Sequence, residues 1–245
     1  MTVTCLFDIN ETVLDLSALD GLFTELFGDP GSRLLWFAQT LQHAMTAELC
    51  GRHAPFEAQG QAALEMIAAR LGRRLGDADK ERVADALKRL PAHADVRAGL
   101  DFARAQGVRC IAFSNNARAA TQAQLAYADL SDAFAGILSA EDAGASKPAT
   151  AAYRQAAASL DQPAEQLWLV AVHAWDIAGA QAAGCKGALL QRQAEQVANP
   201  LAPPAVTAGT LQEAVARILA HEGRSQRPGV LTSAPSPAGA GFSRQ

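Results

Sequence analysis

Five short apolar runs constrain this chain more than any other feature. They occupy residues 3–7, 108–113, 136–139, 167–172 and 187–190. The runs are continuous rather than alternating, and polar or helix-spaced residues bound each one. Runs of that length and character predict strands buried on both faces, as in a parallel sheet. Helix-spaced segments separate most of them, over residues 96–106 (with Gly107 as the stop), 117–128 and 150–160, and in a stretch opening at Asp176 and ending by Gly184. Strands that alternate with helices predict a doubly wound α/β core.

The first run breaks the alternation. About 90 residues follow it with no strand signal, and segments 17–27, 32–50, 56–73 and 78–89 all carry helical spacing of Leu, Ala, Met and Phe. This predicts a helical cap inserted after the first strand. The expected division is a core of residues 1–15 and 95–223, a cap of residues 16–94, and a disordered tail from 224 to 245, where Pro, Gly, Ser and Ala dominate without periodicity. Ligands of such sheets bind outside the carboxyl ends of the strands, where a cap rooted after the first strand would cover them.

Composition narrows the partners. The net charge is -4 with no long basic run, so neither nucleic acid nor an anionic membrane surface is an expected partner. No apolar stretch approaches the roughly 18 residues of a membrane span, and no signal peptide precedes the first run, so a soluble, cytoplasmic protein is expected. Cys5, Cys50, Cys110 and Cys185 lie far apart, which argues against a disulfide framework or a zinc knuckle. His43, His53, His93 and His221 show no metal-ligand spacing. No metal or cofactor is expected.

Chemistry-bearing residues gather where the runs end. Asp8 follows the first in "LFDINET", Ser114 and Asn115 end the second in "IAFSNN", Lys147 follows the third in "GASKP", and Asp176 follows the fourth in "VHAWDIAGA". A carboxylate just past a buried strand is poorly solvated and needs a partner. A lysine and a hydroxyl from neighbouring loops can supply it, and the arrangement suits covalent catalysis by a carboxylate held ionised by an ammonium. Each residue alone reads as a cap, a turn or a surface charge; their order and placement carry the signal.

With these motifs the chain resembles the haloacid dehalogenase superfamily, and within it the L-2-haloacid dehalogenase branch, over about residues 3–220. The resemblance implies a Rossmann-like core with a cap, and Asp8 as a nucleophile steadied by Thr12. It implies Ser114 on the substrate carboxylate, Asn115 on the departing halide, Lys147 paired with Asp8, Tyr153 as an active-site tyrosine, and Asp176 near the hydrolytic water. In the cap, Phe56 of "PFEAQGQAAL" falls where the family lines its halide pocket. Phe37 falls near the place of the family's halide-binding arginine, and Arg33, one turn away, lies in a different register. Ala171 and His173 stand where the fourth motif usually carries Ser and Asn. The resemblance further implies a small carboxylate substrate and points to a homodimer.

The implied reaction is hydrolysis at an α-carbon through an aspartyl ester, foremost dehalogenation of (S)-2-haloacids. The phosphatases of this superfamily carry D-x-D and a further acid in the fourth motif; Asn10 and Val172 occupy those positions and are not acids. Opening of a strained cyclic amino acid such as azetidine-2-carboxylate is an alternative, with His173 as proton donor, and a non-catalytic protein of the same fold is another. His173 beside Trp175 also has the plain reading of a hydrogen-bonded core residue. For Trp36, Phe37, Met45 and Phe56 the plain reading is packing within the cap.

Overall fold

The computed structural model describes residues 2–194 and 196–225. Among them, six parallel strands form one sheet in the order β3-β2-β1-β4-β5-β6. The strands are β1 (Thr4–Asp8), β2 (Arg109–Ser114), β3 (Gly136–Ser139), β4 (Leu167–Ala171), β5 (Lys186–Leu190) and β6 (Val206–Ala208). The doubly wound α/β fold expected from the apolar runs is therefore the fold observed. Every residue of β1 and β4 is buried, which explains why these runs do not alternate.

Helices α5 (Val96–Ala105), α6 (Arg118–Tyr127) and α9 (Leu211–Ser225) share one apolar cluster with one face of the sheet. Helices α7 (Thr150–Ser159) and α8 (Ala174–Ala182) share a second cluster with the other face. Sequence reasoning missed β6 and α9. β6 spans three residues, too short a run to stand out, and α9 lies beyond the last apolar run that predicts a strand. Helix α8 opens at Ala174, ahead of the expected Asp176. Helix α9 runs to Ser225, and the rest of the expected tail lies outside the described residues.

The inserted helices are α1 (Asp20–Phe27), α2 (Ser32–Leu49), α3 (Phe56–Arg70) and α4 (Asp77–Leu87). Helices α2 and α3 pack against each other, with the Trp36 indole N–H donating to the Gly60 carbonyl at 2.9 Å. The apolar residues of this layer belong to the same cluster as one face of the sheet. Polar ties from the core hold its rim. Glu141 accepts from the Phe56 N–H at 3.0 Å, Gln124 donates to the Leu87 carbonyl at 2.8 Å, and Glu48 accepts from the Ser146 N–H at 2.6 Å. No helix among the described residues is long and apolar enough to cross a membrane.

Register brings the chemistry together. Strand β1 lies between β2 and β4, and Asp8 pairs with Phe113, one residue before Ser114. Connections from β1 and β4 run to opposite edges of the sheet, which opens a crevice at their carboxyl ends. Helix α8 must pack tightly for Asp176 to reach this crevice. A Cβ on Gly179 would lie 2.5 Å from the Pro148 carbonyl and 2.8 Å from the Tyr153 hydroxyl.

Gly179→Ala is therefore expected to destabilise the protein by about 1–3 kcal/mol through overpacking. At roughly 2–4 °C per kcal/mol for a chain of this size, Tm falls by several degrees in thermal unfolding. Gly223→Ala is the control, because a Cβ there meets no described atom within 4 Å. It is expected to leave Tm unchanged or raise it slightly.

Candidate active site

At the centre of the crevice is a buried ammonium between two carboxylates. Lys147 Nζ donates to Asp8 Oδ1 and to Asp176 Oδ2, each at 2.7 Å, and to the Phe113 carbonyl at 3.3 Å. All three side chains are almost wholly removed from water, at 1%, 7% and 0% exposure for Lys147, Asp8 and Asp176. The lysine arrives on the loop after β3, and Asn115 fixes that loop. The Asn115 side chain accepts from the Lys147 N–H at 2.7 Å and donates to the Lys147 carbonyl at 3.3 Å.

The second oxygen of Asp8 accepts from the Thr12 hydroxyl at 2.7 Å and lies 3.2 Å from His173 Nδ1. Thr12 in turn accepts from the Val172 N–H at 3.1 Å, which ties the loop after β1 to the end of β4. Burial alone would raise the Asp8 carboxyl, but Lys147 and then His173 outweigh it and hold it well below the usual carboxylate range. Burial lowers His173, yet Asp8 and Glu11 overcome that and push it up to about 9. Burial and the charge of Asp8 leave Asp176 above its ordinary value despite Lys147. The Tyr153 hydroxyl donates to Asp176 Oδ1 and to its carbonyl.

A small pocket of about 10 Å³ opens on Asp8. Asn10, Phe37, Leu41, Phe56, Ser114, Asn115, Lys147, His173 and Trp175 complete its lining. Asp8, Asn10, Phe37, Phe56, Ser114, Asn115, Lys147 and His173 thus meet around one pocket. Three expected residues sit behind this wall. Thr12 and Tyr153 are fully buried against Asp8 and Asp176, and Asp176 has both oxygens occupied by Lys147 and Tyr153. Their geometry suits positioning rather than contact with a ligand. The Ser114 hydroxyl accepts from the Asn116 N–H at 3.0 Å, which leaves its own proton to donate. The Asn10 Oδ1 is buried with no partner among the described residues. Phe37 lies 5.6 Å from the His173 ring, which stacks on Trp175 at 5.0 Å.

Glu11, which the sequence did not single out, pairs with Arg33 at the edge of this site. Glu11 has a positive φ of 65°, a conformation that L residues rarely adopt, and its carbonyl faces His93 Nε2 at 2.9 Å. That turn sets its carboxylate 2.8 Å from His173 Nε2 and 3.0 Å from the Arg33 guanidinium, which also pairs with Asp20. A chain of alternating charge therefore runs from Asp8 through His173, Glu11 and Arg33 to Asp20 in the inserted helices. Nothing in a lone Glu beside Asn10 signals this.

A magnesium ion does not suit this donor set. Lys147, Thr12 and His173 already occupy Asp8, Lys147 and Tyr153 occupy Asp176, and an amide and an apolar side chain stand at Asn10 and Val172. Among the described residues, no three His, Cys, Asp or Glu side chains are grouped to hold a metal ion.

A parallel sheet, an inserted helical layer and a carboxylate–ammonium–carboxylate cluster at the strand ends define a hydrolase with a doubly wound core and a helical cap. The chain belongs to the haloacid dehalogenase-like hydrolases, whose family model matches residues 2–184. It is 26% identical to an (S)-2-haloacid dehalogenase of Pseudomonas fluorescens over 189 residues, covering 76% of this chain and 83% of that protein. It is 27% identical to an (S)-2-haloacid dehalogenase of Pseudomonas putida over 190 residues, with the same coverage. The fold matches that of the L-2-haloacid dehalogenase of Xanthobacter autotrophicus with a TM-score of 0.82 at 19% identity, over 89% of this chain and 99% of the other.

The charge on His173 has a measurable consequence. Its pKa is raised in the folded state, so its stabilising contribution is complete below its unfolded value of about 6.5 and is lost as pH rises through about 9. Thermal unfolding of the wild type and of His173→Gln is expected to show a Tm gap at pH 6 that narrows by pH 9.5. A gap independent of pH would mean that His173 is held neutral.

Proposed function

We propose that this protein hydrolyses (S)-2-haloacids without a metal ion, through an ester on Asp8. One observation carries the reading: Asp8 is buried, held ionised by Lys147, and faces a pocket that also presents the Ser114 hydroxyl. The names of the Pseudomonas relatives support the choice of substrate. A halide suits a pocket walled by Phe37, Phe56 and Trp175, because it leaves as an anion and needs no proton.

The substrate carboxylate docks against Ser114 and Lys147. Asp8 attacks the α-carbon in line; the new C–O bond forms as the carbon–halogen bond breaks, the halide departs with the electron pair, and the centre inverts. Asp8 needs no base to become a nucleophile, since it is already ionised. The inserted helices exclude bulk water, which removes the shell that would blunt the carboxylate. Ester formation takes away the Asp8 charge and leaves Lys147 paired with Asp176. Water then attacks the Asp8 carboxyl carbon, and its proton passes to Asp176 through Lys147. Burial pushes the Asp176 carboxyl up, which favours that acceptance. Collapse of the adduct returns the proton to the departing 2-hydroxy acid, and the regenerated Asp8 loses its own proton to solvent. Thr12 and Tyr153 orient the two carboxyl groups throughout.

Asp8→Asn is expected to lower turnover of 2-chloropropionate by more than about 10⁴-fold, the scale seen when a nucleophile is removed, with Tm little changed. Halide release, assayed beside azetidine-2-carboxylate and p-nitrophenyl phosphate with magnesium, separates this reading from ring opening and from phosphate transfer.

A single turnover in heavy-oxygen water, with enzyme in excess, is expected to place the label in the peptide containing Asp8. Label found only in the hydroxy acid would make Asp8 a general base. Excess EDTA is expected to leave halide release intact; loss that magnesium restores would sink the metal-free mechanism.

A further inference from the structure

Beside the pocket at Asp8 lies a larger cavity that the ester chemistry does not use. It has a volume of about 160 Å³ and lies between the inserted helices and the core. The two spaces share Asn10, Phe37 and Phe56, so they adjoin at those three side chains. The walls of the chamber are mainly hydrocarbon. Leu16, Trp36, Leu64 and Val83 line it from buried positions, with Ala84 and Leu87 half-buried beside them. Exposed Glu57 and Lys88 also belong to its lining and place its mouth at the surface. Apolar walls left in contact with water forfeit the free energy of burying them, so an open apolar chamber next to a nucleophile calls for an apolar occupant.

We infer that this chamber receives the side chain at C2 of the substrate, and that the acids that suit this protein carry an apolar group larger than methyl. The inference rests on the reading of Asp8 as a nucleophile at the α-carbon. In-line displacement places Asp8 and the leaving group on opposite sides of that carbon. The carboxylate is held at Ser114 and Lys147, so the remaining large substituent needs room elsewhere. The chamber past Asn10, Phe37 and Phe56 is that room. An apolar cavity of about 150 Å³ holds one benzene ring, so a chain of roughly four to six carbons or a phenyl group is the matching size. Each methylene buried there is expected to favour binding about fourfold.

The test compares 2-bromopropionate with 2-bromohexanoate on the wild type and on two variants that fill the chamber from opposite sides. Ala84→Phe acts from α4 and Ala120→Phe from α6. Neither residue touches Asp8, and if one variant fails to fold the other still decides. The wild type is expected to favour 2-bromohexanoate in kcat/KM by at least tenfold. In the variants that preference is expected to drop below about threefold, with 2-bromopropionate within twofold of wild type. Equal wild-type rates for the two acids, or equal losses for both in the variants, would overturn the assignment and leave the chamber an entry passage.

Calorimetric titration with the unreactive acids propionate and hexanoate is independent of turnover. Hexanoate is expected to bind at least tenfold tighter to the wild type and to lose that advantage in both variants; equal affinities would sink the proposal. Chain-length-dependent binding without turnover of any 2-halo acid would reject dehalogenation and retain the chamber as an alkyl-carboxylate site.

Discussion

The structure depends on one buried ammonium. Lys147 lies between Asp8 and Asp176, and each charge in that trio is far too costly to hold alone in an apolar interior. Removing Lys147 would strand two buried carboxylates at once, so the ammonium is the member the other two depend on. It imposes three demands on the fold. The ends of β1 and β4 must lie side by side, the loop after β3 must reach across β2, and α8 must pack close enough to deliver Asp176. The Asn115 amide clamp on Lys147 and the bare backbone of Gly179 meet the last two.

The trio carries a net negative charge, and the surroundings answer it. His173 adds a positive charge against Asp8, Glu11 balances His173, and Arg33 balances Glu11 and Asp20. Charges thus alternate outward from the nucleophile into the inserted helices. Arg33, on the inserted helix α2, therefore links the cap to Glu11 of the core. Low local dielectric strengthens the inner pairs, where Asp8, Lys147 and His173 are nearly removed from water, more than the outer pair at half-exposed Asp20. The same series uses both nitrogens of His173, so that side chain holds Asp8 in place and does not stand free to donate a proton.

Much of this was legible in the sequence because burial writes itself into hydrophobic pattern. Strands buried on both faces appear as unbroken apolar runs, and the helical insertion appears as about 90 residues of helical spacing. The residues ending those runs identified Asp8, Ser114, Lys147 and Asp176 through position in the chain. What stayed hidden depended on direction. Asp176 follows its strand as a ligand-facing residue would, yet it and Tyr153 of α7 sit behind Lys147. Glu11 reaches His173 only because its backbone takes a left-handed turn. Strand β6 and helix α9 lay beyond the last run that stood out.

The sequence by itself determined the fold class, the inserted helices and the set of groups at the strand ends. Periodicity and strand-end position are properties of the chain alone, and they survive without coordinates. Only the tertiary structure decided which of those groups face the pocket and which stand behind it. It alone revealed the relay from Asp8 to Asp20 and the apolar chamber between layers. The reason is physical: side-chain direction and the space between packed layers follow from how distant segments meet. Residues 8, 147 and 173 share a pocket because three strand ends converge, and no local pattern records that convergence.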